Sequence, residues 1–201
     1  MTLVLNVICN LAMMAISSRA IIVDDTGTGG RNYKKKHRFK SNVSWINGIA
    51  HTPEDAKETA EEMSRMFSGS CINYCHNPTS VRAPTDAMGY VRDLTQCTRQ
   101  KVGGKVTGEV IKLREHLRRL IKQTGRHGKV VHLAHSQGAL ITYLAAKNLT
   151  KAEQEKMEVV CFGGAAAITT DEFPHFSRCV NYYSVNDPLL HVVGSAEKAL
   201  T

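Results

Sequence analysis

The stretch KVVHLAHSQGALITYL, residues 129–144, is the part of the sequence that decides the fold. Its first seven residues are mostly apolar and include two adjacent valines, which predicts a buried strand over 129–135. An apolar run that continues to residue 149 predicts a helix directly after this strand. A strand that passes into a helix within one residue requires a sharp turn, and the sequence places Ser136 at that turn.

The alternation of strand and helix continues on both sides of this stretch. Further strands are predicted over 43–49, 70–76, 158–162 and 179–185, and a weaker pattern over 86–99 indicates another helix. The connection before the last strand is irregular. Strands that alternate with amphipathic helices favour an α/β fold, with a mainly parallel sheet and helices on both faces.

Two further helices have a clear apolar face. The first is predicted to start at Thr52, which can cap the helix N-terminus, with Pro53 at the first helical position. The second is predicted over 105–123, with Gly125 as its terminator. The residues expected on the buried faces are Ala56, Ala60, Met63 and Phe67 in the first helix and Val106, Val110, Leu113, Leu117, Leu120 and Ile121 in the second.

Composition divides the 201-residue chain into three parts. Residues 1–23 form an apolar N-terminal segment, residues 24–41 a basic, glycine-rich connector, and residues 42–201 one domain long enough for a sizeable core. The formal net charge is +8, and six positive charges lie between residues 31 and 40. Such a basic run is typical of a solvated connector, and without an aromatic surface beside it we expect no specific nucleic-acid partner.

The apolar N-terminal segment leaves several interpretations open. Residues 3–16 lack the preceding positive charge of a signal peptide, and they are short for a membrane span. A membrane-associating segment, a weak secretion signal and an extra element of the core all fit the pattern. We therefore expect a cytoplasmic or membrane-associated protein, with a membrane surface as a candidate partner and secretion left open.

The cysteines predict neither a disulfide scaffold nor a metal site. Six cysteines in 201 residues are too few for such a scaffold, and several lie within apolar runs, as Cys161 does. This pattern is typical of buried free thiols in a reducing compartment. Cys71, Cys75 and His76 resemble half of a zinc site without a matching second half. We expect no metal and no cofactor.

The predicted turn at Ser136 suits a nucleophile. A serine on a tight strand-to-helix turn is held above the sheet edge, and small residues two positions before and after it let strand and helix pass closely. Ala134 and Gly138 occupy those positions, with alanine where glycine is usual. The N–H group of Gln137 lies at a helix start, where the backbone favours a developing negative charge.

Three stretches together resemble a known family. The motif of residues 134–138 (AHSQG), the turn of residues 47–49 (NGI) and the stretch of residues 182–188 (YYSVNDP) look like the lipase/esterase branch of the α/β-hydrolases. Together with Thr52, Asp55-Ala56 and residues 77–79 (NPT), they are also similar to uncharacterised hydrolase-like proteins of chlamydia-type bacteria. The resemblance covers about residues 42–190.

The resemblance implies a role for several residues near the turn. Ser136 would be the nucleophile, and the N–H of Gln137 would be one donor of an oxyanion hole. The second donor would come from the loop after an earlier strand, and we expect it to be the N–H of Ile49 or of a neighbour such as Gly48. His51, close to that loop, is a candidate substrate contact.

In this family the chain order is nucleophile, acid, histidine. Asp187 lies where the acid is expected, with a simple turn aspartate as the alternative. Only His191 follows it, and four residues leave no room for the strand that normally separates the two. As the candidate base, His191 would therefore have to turn back toward Ser136. The resemblance therefore implies an α/β-hydrolase-like fold that is truncated at its C-terminal end.

Two functions remain open at this stage. The first is a serine hydrolase, lipase- or esterase-like, that cleaves a small-molecule or lipid carboxylic ester through an acyl-enzyme, provided that a histidine completes its triad. The second is a catalytically degenerate binding protein on the same scaffold, associated with a membrane. Removal of one triad member abolishes most of the catalysis, so the two functions differ in whether a histidine serves as the base.

Overall fold

The computed structural model describes residues 41–67, 71–78 and 106–183, with the single positions 89, 95–97, 99, 103 and 104. The predicted N-terminal segment 1–23, most of the connector and most of the weak helix over 86–99 lie outside this part of the chain. Its elements, in order, are β1 (Ser41–Ile46), α1 (Pro53–Met66), β2 (Ile72–Cys75), α2 (Gly108–Gln123), β3 (Lys129–His135), α3 (Gln137–Ala146), α4 (Lys151–Gln154), β4 (Met157–Phe162) and β5 (Arg178–Tyr182).

The five strands form one parallel sheet in the order β2-β1-β3-β4-β5. The chain runs from β1 to its neighbour β2 on one side and then returns to β3 on the other side of β1. The strand order therefore reverses between β1 and β3. In open parallel sheets, such a reversal opens a crevice at the carboxyl ends of the two strands, and ligands bind there.

The two faces of the sheet carry separate apolar cores, as strand alternation requires. Val131 and Leu133 of β3 share one core with Met63 of α1, and Val130 and Ala134 belong to the other core. That second core contains the buried faces of α2 and α3. Helices therefore cover both faces, and the predicted α/β class is confirmed. Among the described residues, no helix is long and apolar enough to cross a membrane.

The predicted helix start at Thr52 is confirmed. The Thr52 hydroxyl accepts a hydrogen bond from the Asp55 N–H at 3.1 Å, and the Asp55 carboxylate accepts one from the Thr52 N–H at 2.9 Å. This reciprocal pair satisfies two N–H groups that the helix cannot satisfy itself. The bond from the Thr52 N–H is also the main cause that lowers the pKa of Asp55.

Several predicted boundaries differ from the structure. α2 starts at Gly108 rather than residue 105, because Thr107 is its N-cap, and Val106 is 50% exposed rather than part of the buried face. β1 ends at Ile46, three residues before the predicted end, since Asn47 begins a loop. α3 ends at Ala146, three residues early. The other residues expected on the buried faces of α1 and α2 are buried.

A buried hydrogen-bond chain joins β3 to α3. The Thr142 hydroxyl donates to the Gly138 carbonyl at 2.7 Å, so its oxygen accepts from His132 Nε2 at 2.9 Å. His132 Nδ1 is then an acceptor, and the Ser44 hydroxyl donates to it at 3.0 Å. His132 is therefore a packed residue of β3 with both ring nitrogens hydrogen-bonded.

The same series of hydrogen bonds continues to α2, and the donor and acceptor of each bond are determined. Ser44 Oγ accepts from His116 Nε2 at 3.2 Å, and the Arg119 guanidinium, which can only donate, bonds His116 Nδ1 at 3.1 Å. Burial lowers the pKa of His132 to about 3 and that of His116 to about 4, with Arg119 adding to the effect on His116. Both rings are therefore neutral near pH 7, each with its proton on Nε2.

The two neutral histidines predict acid instability. Below about pH 6.5 the unfolded chain binds protons at both rings, whereas the folded protein does not until near pH 4. The free energy of unfolding should therefore fall as the pH drops through this window, by about 1.4 kcal/mol per pH unit for each ring. Urea unfolding at pH 6.5, 5.5 and 5.0 measures the slope. His132→Gln should reduce this slope by about 1.4 kcal/mol per pH unit, which is the contribution of one ring. An unchanged slope in that variant contradicts the account.

Candidate active site

Ser136 forms the whole connection between β3 and α3. β3 ends at His135 and α3 begins at Gln137, and Ser136 between them has φ 52° and ψ −120°. A positive φ is strained for a residue with a side chain, and such strain persists only where neighbouring structure enforces it. The strand–serine–helix turn expected from the sequence is therefore present.

Backbone hydrogen bonds hold Ser136 in this conformation. Its N–H donates to the Phe162 carbonyl of β4 at 3.0 Å, and its carbonyl accepts from the N–H groups of Ala139 at 3.1 Å and Ala165 at 3.0 Å. The turn is thus tied both to its own helix and to the segment that follows β4. The Ser136 side chain makes no capping hydrogen bond to α3.

Two glycines allow the close packing around the turn. A Cβ atom on Gly48 would lie 2.7 Å from the Cβ of Ser136, and one on Gly138 would lie 2.7 Å from the Asn47 carbonyl oxygen. Any larger residue at either position would collide with its neighbours. The loop after β1 is therefore in direct contact with the Ser136 turn, at the point where the strand order reverses. Ala134, where glycine is usual, is fully buried.

The loop after β1 is shaped by the buried side chain of Asn47. Its Nδ2 donates to the Gly48 carbonyl at 2.8 Å and to the Asn77 carbonyl at 3.0 Å, and its Oδ1 accepts from the Asn77 N–H at 2.8 Å. One amide thus binds the ends of β1 and β2 together. In a trans peptide the carbonyl and the N–H point in opposite directions, so the bond to the Gly48 carbonyl also fixes the direction of the Ile49 N–H.

Gln137 follows the serine and occupies the first position of α3. Its side chain is buried, and its Oε1 accepts a hydrogen bond from Asn77 Nδ2 at 3.0 Å. Its N–H belongs to the first turn, where helix geometry provides no intrahelical acceptor and the helix dipole favours negative charge. The two N–H groups named from the sequence, those of Gln137 and Ile49, therefore lie on the two segments that meet at Ser136.

His135 directly precedes Ser136 and is half-buried. Its burial, with a smaller effect of the neighbouring His51, lowers its pKa to about 4, so the ring is neutral near pH 7. Its ring stacks on Trp45 with the centroids 6.4 Å apart, and Gly48 lies close to its Nδ1. A neutral ring in this position supports the packing below the turn.

His51 lies beside the turn, at the end of the loop after β1. Its ring is 6.3 Å from that of His135 in an edge-on arrangement, and its Nδ1 donates to the Ile49 carbonyl at 3.0 Å. Its own carbonyl accepts from His76 Nε2 at 3.1 Å. His51 therefore lies at the end of the loop after β1, next to His135, whereas its role as a substrate contact stays a prediction.

The predicted acid and base, Asp187 and His191, lie outside the described residues, so their roles stay predictions. Within the described ranges, no group of three or more histidine, cysteine or acidic side chains is placed to hold a metal ion. Cys71 and Cys75 are buried and form no disulfide bond within the described part of the chain, and burial raises the pKa of Cys75.

Asn77 bonds both the Asn47 side chain and the Gln137 side chain, a role that the sequence pattern does not predict. The sequence does contain a signal for Asn77, since this residue follows the predicted strand over 70–76 and precedes Pro78. The bond between Ala165 and Ser136 is also not predicted by the sequence, because that contact depends on how the segment after β4 returns to the sheet.

Ser136→Gly should stabilise the fold relative to Ser136→Ala. Glycine adopts a positive φ without strain, so it avoids a cost of about 1–3 kcal/mol. Its greater freedom in the unfolded chain opposes this gain by about 0.5–1 kcal/mol. We expect the glycine variant to unfold at higher urea, by about 1 kcal/mol. Both variants lack the hydroxyl, so the comparison isolates the backbone. Equal stabilities would argue that the turn is unstrained.

Gly48→Ala should destabilise the protein by about 1–3 kcal/mol, because the added methyl group collides with the Ser136 turn. Gly108→Ala is the matched control, since a Cβ there has no atom within 4 Å and alanine favours the helix. Urea unfolding of both variants measures the difference. A Gly48→Ala protein as stable as the control would contradict the close contact between loop and turn.

No family model matches the chain, and no curated protein does either. The more specific resemblance to proteins of chlamydia-type bacteria is therefore unsupported. Solved structures give weak likenesses. One is a cutinase of Trichoderma reesei in complex with a C11Y4 phosphonate inhibitor, at 14% identity and a TM-score of 0.44 over 90% of this chain and 74% of that one. Another is a cutinase-like protein from Cryptococcus sp., at 11% identity and a TM-score of 0.42 over 73% of this chain and 77% of that one.

Likenesses at these identities and TM-scores say nothing about activity. What the chain shows by itself is a five-stranded parallel sheet with helices on both faces and a strand–serine–helix turn at the reversal of strand order. The fold is therefore α/β, and its candidate site lies at the edge of the sheet where β1 and β3 end.

Proposed function

We propose that this protein is a serine hydrolase that cleaves carboxylic esters through an acyl-enzyme formed on Ser136. The observation that carries the proposal is the strained backbone of Ser136, at φ 52° and ψ −120°, on a turn pressed against Gly48. A strained serine on a strand-to-helix turn is the arrangement that exposes a nucleophilic hydroxyl above a parallel sheet. Strain enforced by surrounding structure is typical of functional positions.

The first step transfers the acyl group to the protein. Ser136 Oγ attacks the carbonyl carbon of the ester, and its proton passes to a base, for which we propose His191 with Asp187 stabilising the charged ring. The N–H groups of Gln137 and Ile49 stabilise the oxyanion. The bond to the leaving alcohol then breaks, and the alcohol takes the proton from the base.

The second step regenerates the enzyme. Water loses a proton to the same base and attacks the acyl carbon, and the bond to Ser136 Oγ breaks with return of the proton to that oxygen. The carboxylic acid leaves. These two steps need no oxidant, metal or cofactor. The proposed substrates are small-molecule or lipid esters, and His51 beside the loop is the proposed substrate contact.

A serine-directed fluorophosphonate tests the proposal. We expect a single covalent adduct on Ser136, located by mass spectrometry of peptides, and hydrolysis of a short p-nitrophenyl ester by the same protein. Ser136→Ala should lose both. Ser177→Ala is the control, since its hydroxyl bonds the Glu155 carbonyl, remote from the turn, and it should keep both. A folded wild-type protein that neither reacts nor hydrolyses the ester would overturn the proposal in favour of a binding protein on this scaffold.

A further inference from the structure

A buried chain of side-chain amides connects the two segments that meet at Ser136. It runs from the Gly48 carbonyl through Asn47 and Asn77 to the side chain of Gln137, with each contact between 2.8 and 3.0 Å. Asn47, Asn77 and Gln137 are all at most 2% exposed. A buried amide is costly unless it is hydrogen-bonded, and these contacts give each of the three side chains a partner.

The direction of the bonds at Asn47 is fixed by its backbone partners. The Asn77 N–H can only donate, so it identifies Oδ1 of Asn47, and the carbonyls of Gly48 and Asn77 can only accept, so they identify Nδ2. All the short contacts of this amide are therefore with backbone groups. A side chain committed in this way fixes the peptide between Gly48 and Ile49, and with it the direction of the Ile49 N–H.

Asn77 connects this peptide to the second one. Its backbone N–H and carbonyl bond Asn47, while its Nδ2 donates to Gln137 Oε1 at 3.0 Å. Gln137 carries the other proposed oxyanion donor on its own backbone. Asn77 thus spans the distance between the two donor residues, from the loop after β1 to the first turn of α3.

We propose that Asn47 and Asn77 are positioning residues that set the direction and spacing of the two oxyanion donors. The inference rests on the proposed function and deepens it. Stabilisation of an oxyanion depends on donors that are in place before charge develops, since reorganisation during the reaction costs part of the benefit. Buried amides suit this task, because each bond is strengthened by the low local dielectric and each broken bond is costly.

The test compares an ester with its thiono analogue, in which sulfur replaces the carbonyl oxygen. Sulfur is a weak hydrogen-bond acceptor, so hydrolysis of the thiono ester depends less on the N–H donors. The wild-type protein should prefer the oxygen ester. Asn47→Ala should lower kcat/KM for the oxygen ester about tenfold or more, chiefly in kcat, and leave the thiono ester nearly unchanged. The ratio of the two rates then falls, which a general loss of active protein cannot produce.

Asn181→Ala provides the matched control. The Asn181 amide makes the same kind of two-bond clamp, donating to the Ile168 carbonyl at 2.8 Å and accepting from the Ile168 N–H at 3.1 Å, without touching either donor residue. Its removal should leave the ratio at the wild-type value. Should Asn47→Ala fail to fold, Asn77→Ala replaces it, because that variant keeps both backbone bonds to Asn47 and loses only the link to Gln137. It should lower the ratio as well.

The outcomes separate the two proposals. A folded wild-type protein that hydrolyses neither ester and resists the fluorophosphonate overturns the proposed function, and this inference with it. An active wild-type protein whose ratio is unchanged in folded Asn47→Ala or Asn77→Ala overturns the inference alone. A ratio that falls equally in Asn181→Ala also overturns it, because the effect would then come from general loosening of the sheet edge.

Discussion

The close approach of the loop after β1 to the turn after β3 is the constraint on which the rest of the site depends. Gly48 lies so near the Cβ of Ser136 that no side chain fits between them, and Gly138 lies equally close to the Asn47 carbonyl. Ser136 keeps a positive φ only because its N–H and carbonyl are bonded to β4, to α3 and to Ala165. Local chain preference alone would relax this strain.

Sheet topology explains why these two segments meet. β1 and β3 are parallel neighbours, so their carboxyl ends lie at the same edge, and the chain leaves them toward opposite faces. The resulting crevice is a geometric property of the strand order. The Asn47 side chain then gives this crevice a defined shape, because it satisfies backbone groups of Gly48 after β1 and of Asn77 after β2.

The part of this structure that depends on local pattern was predictable from the sequence. β3 was predicted to the residue, as was the turn at Ser136, because apolar runs and small residues specify both. β1 was predicted too long, since Ile49 continues the apolar pattern while Asn47 takes over the backbone hydrogen bonds. The partnership of Asn47 with Asn77 was not predictable, because it depends on which strands pair across 30 positions. Asp187 and His191 rest on resemblance alone.

The central claim is that the Ser136 hydroxyl attacks carbonyl carbon while the N–H groups of Gln137 and Ile49 hold the oxyanion. A crystal structure of the protein after reaction with an alkyl phosphonate tests this most directly. The account predicts a covalent bond between phosphorus and Ser136 Oγ, with the phosphonyl oxygen about 3 Å from both N–H nitrogens. Phosphorus attached to another residue, or a phosphonyl oxygen that contacts neither N–H, would contradict the account.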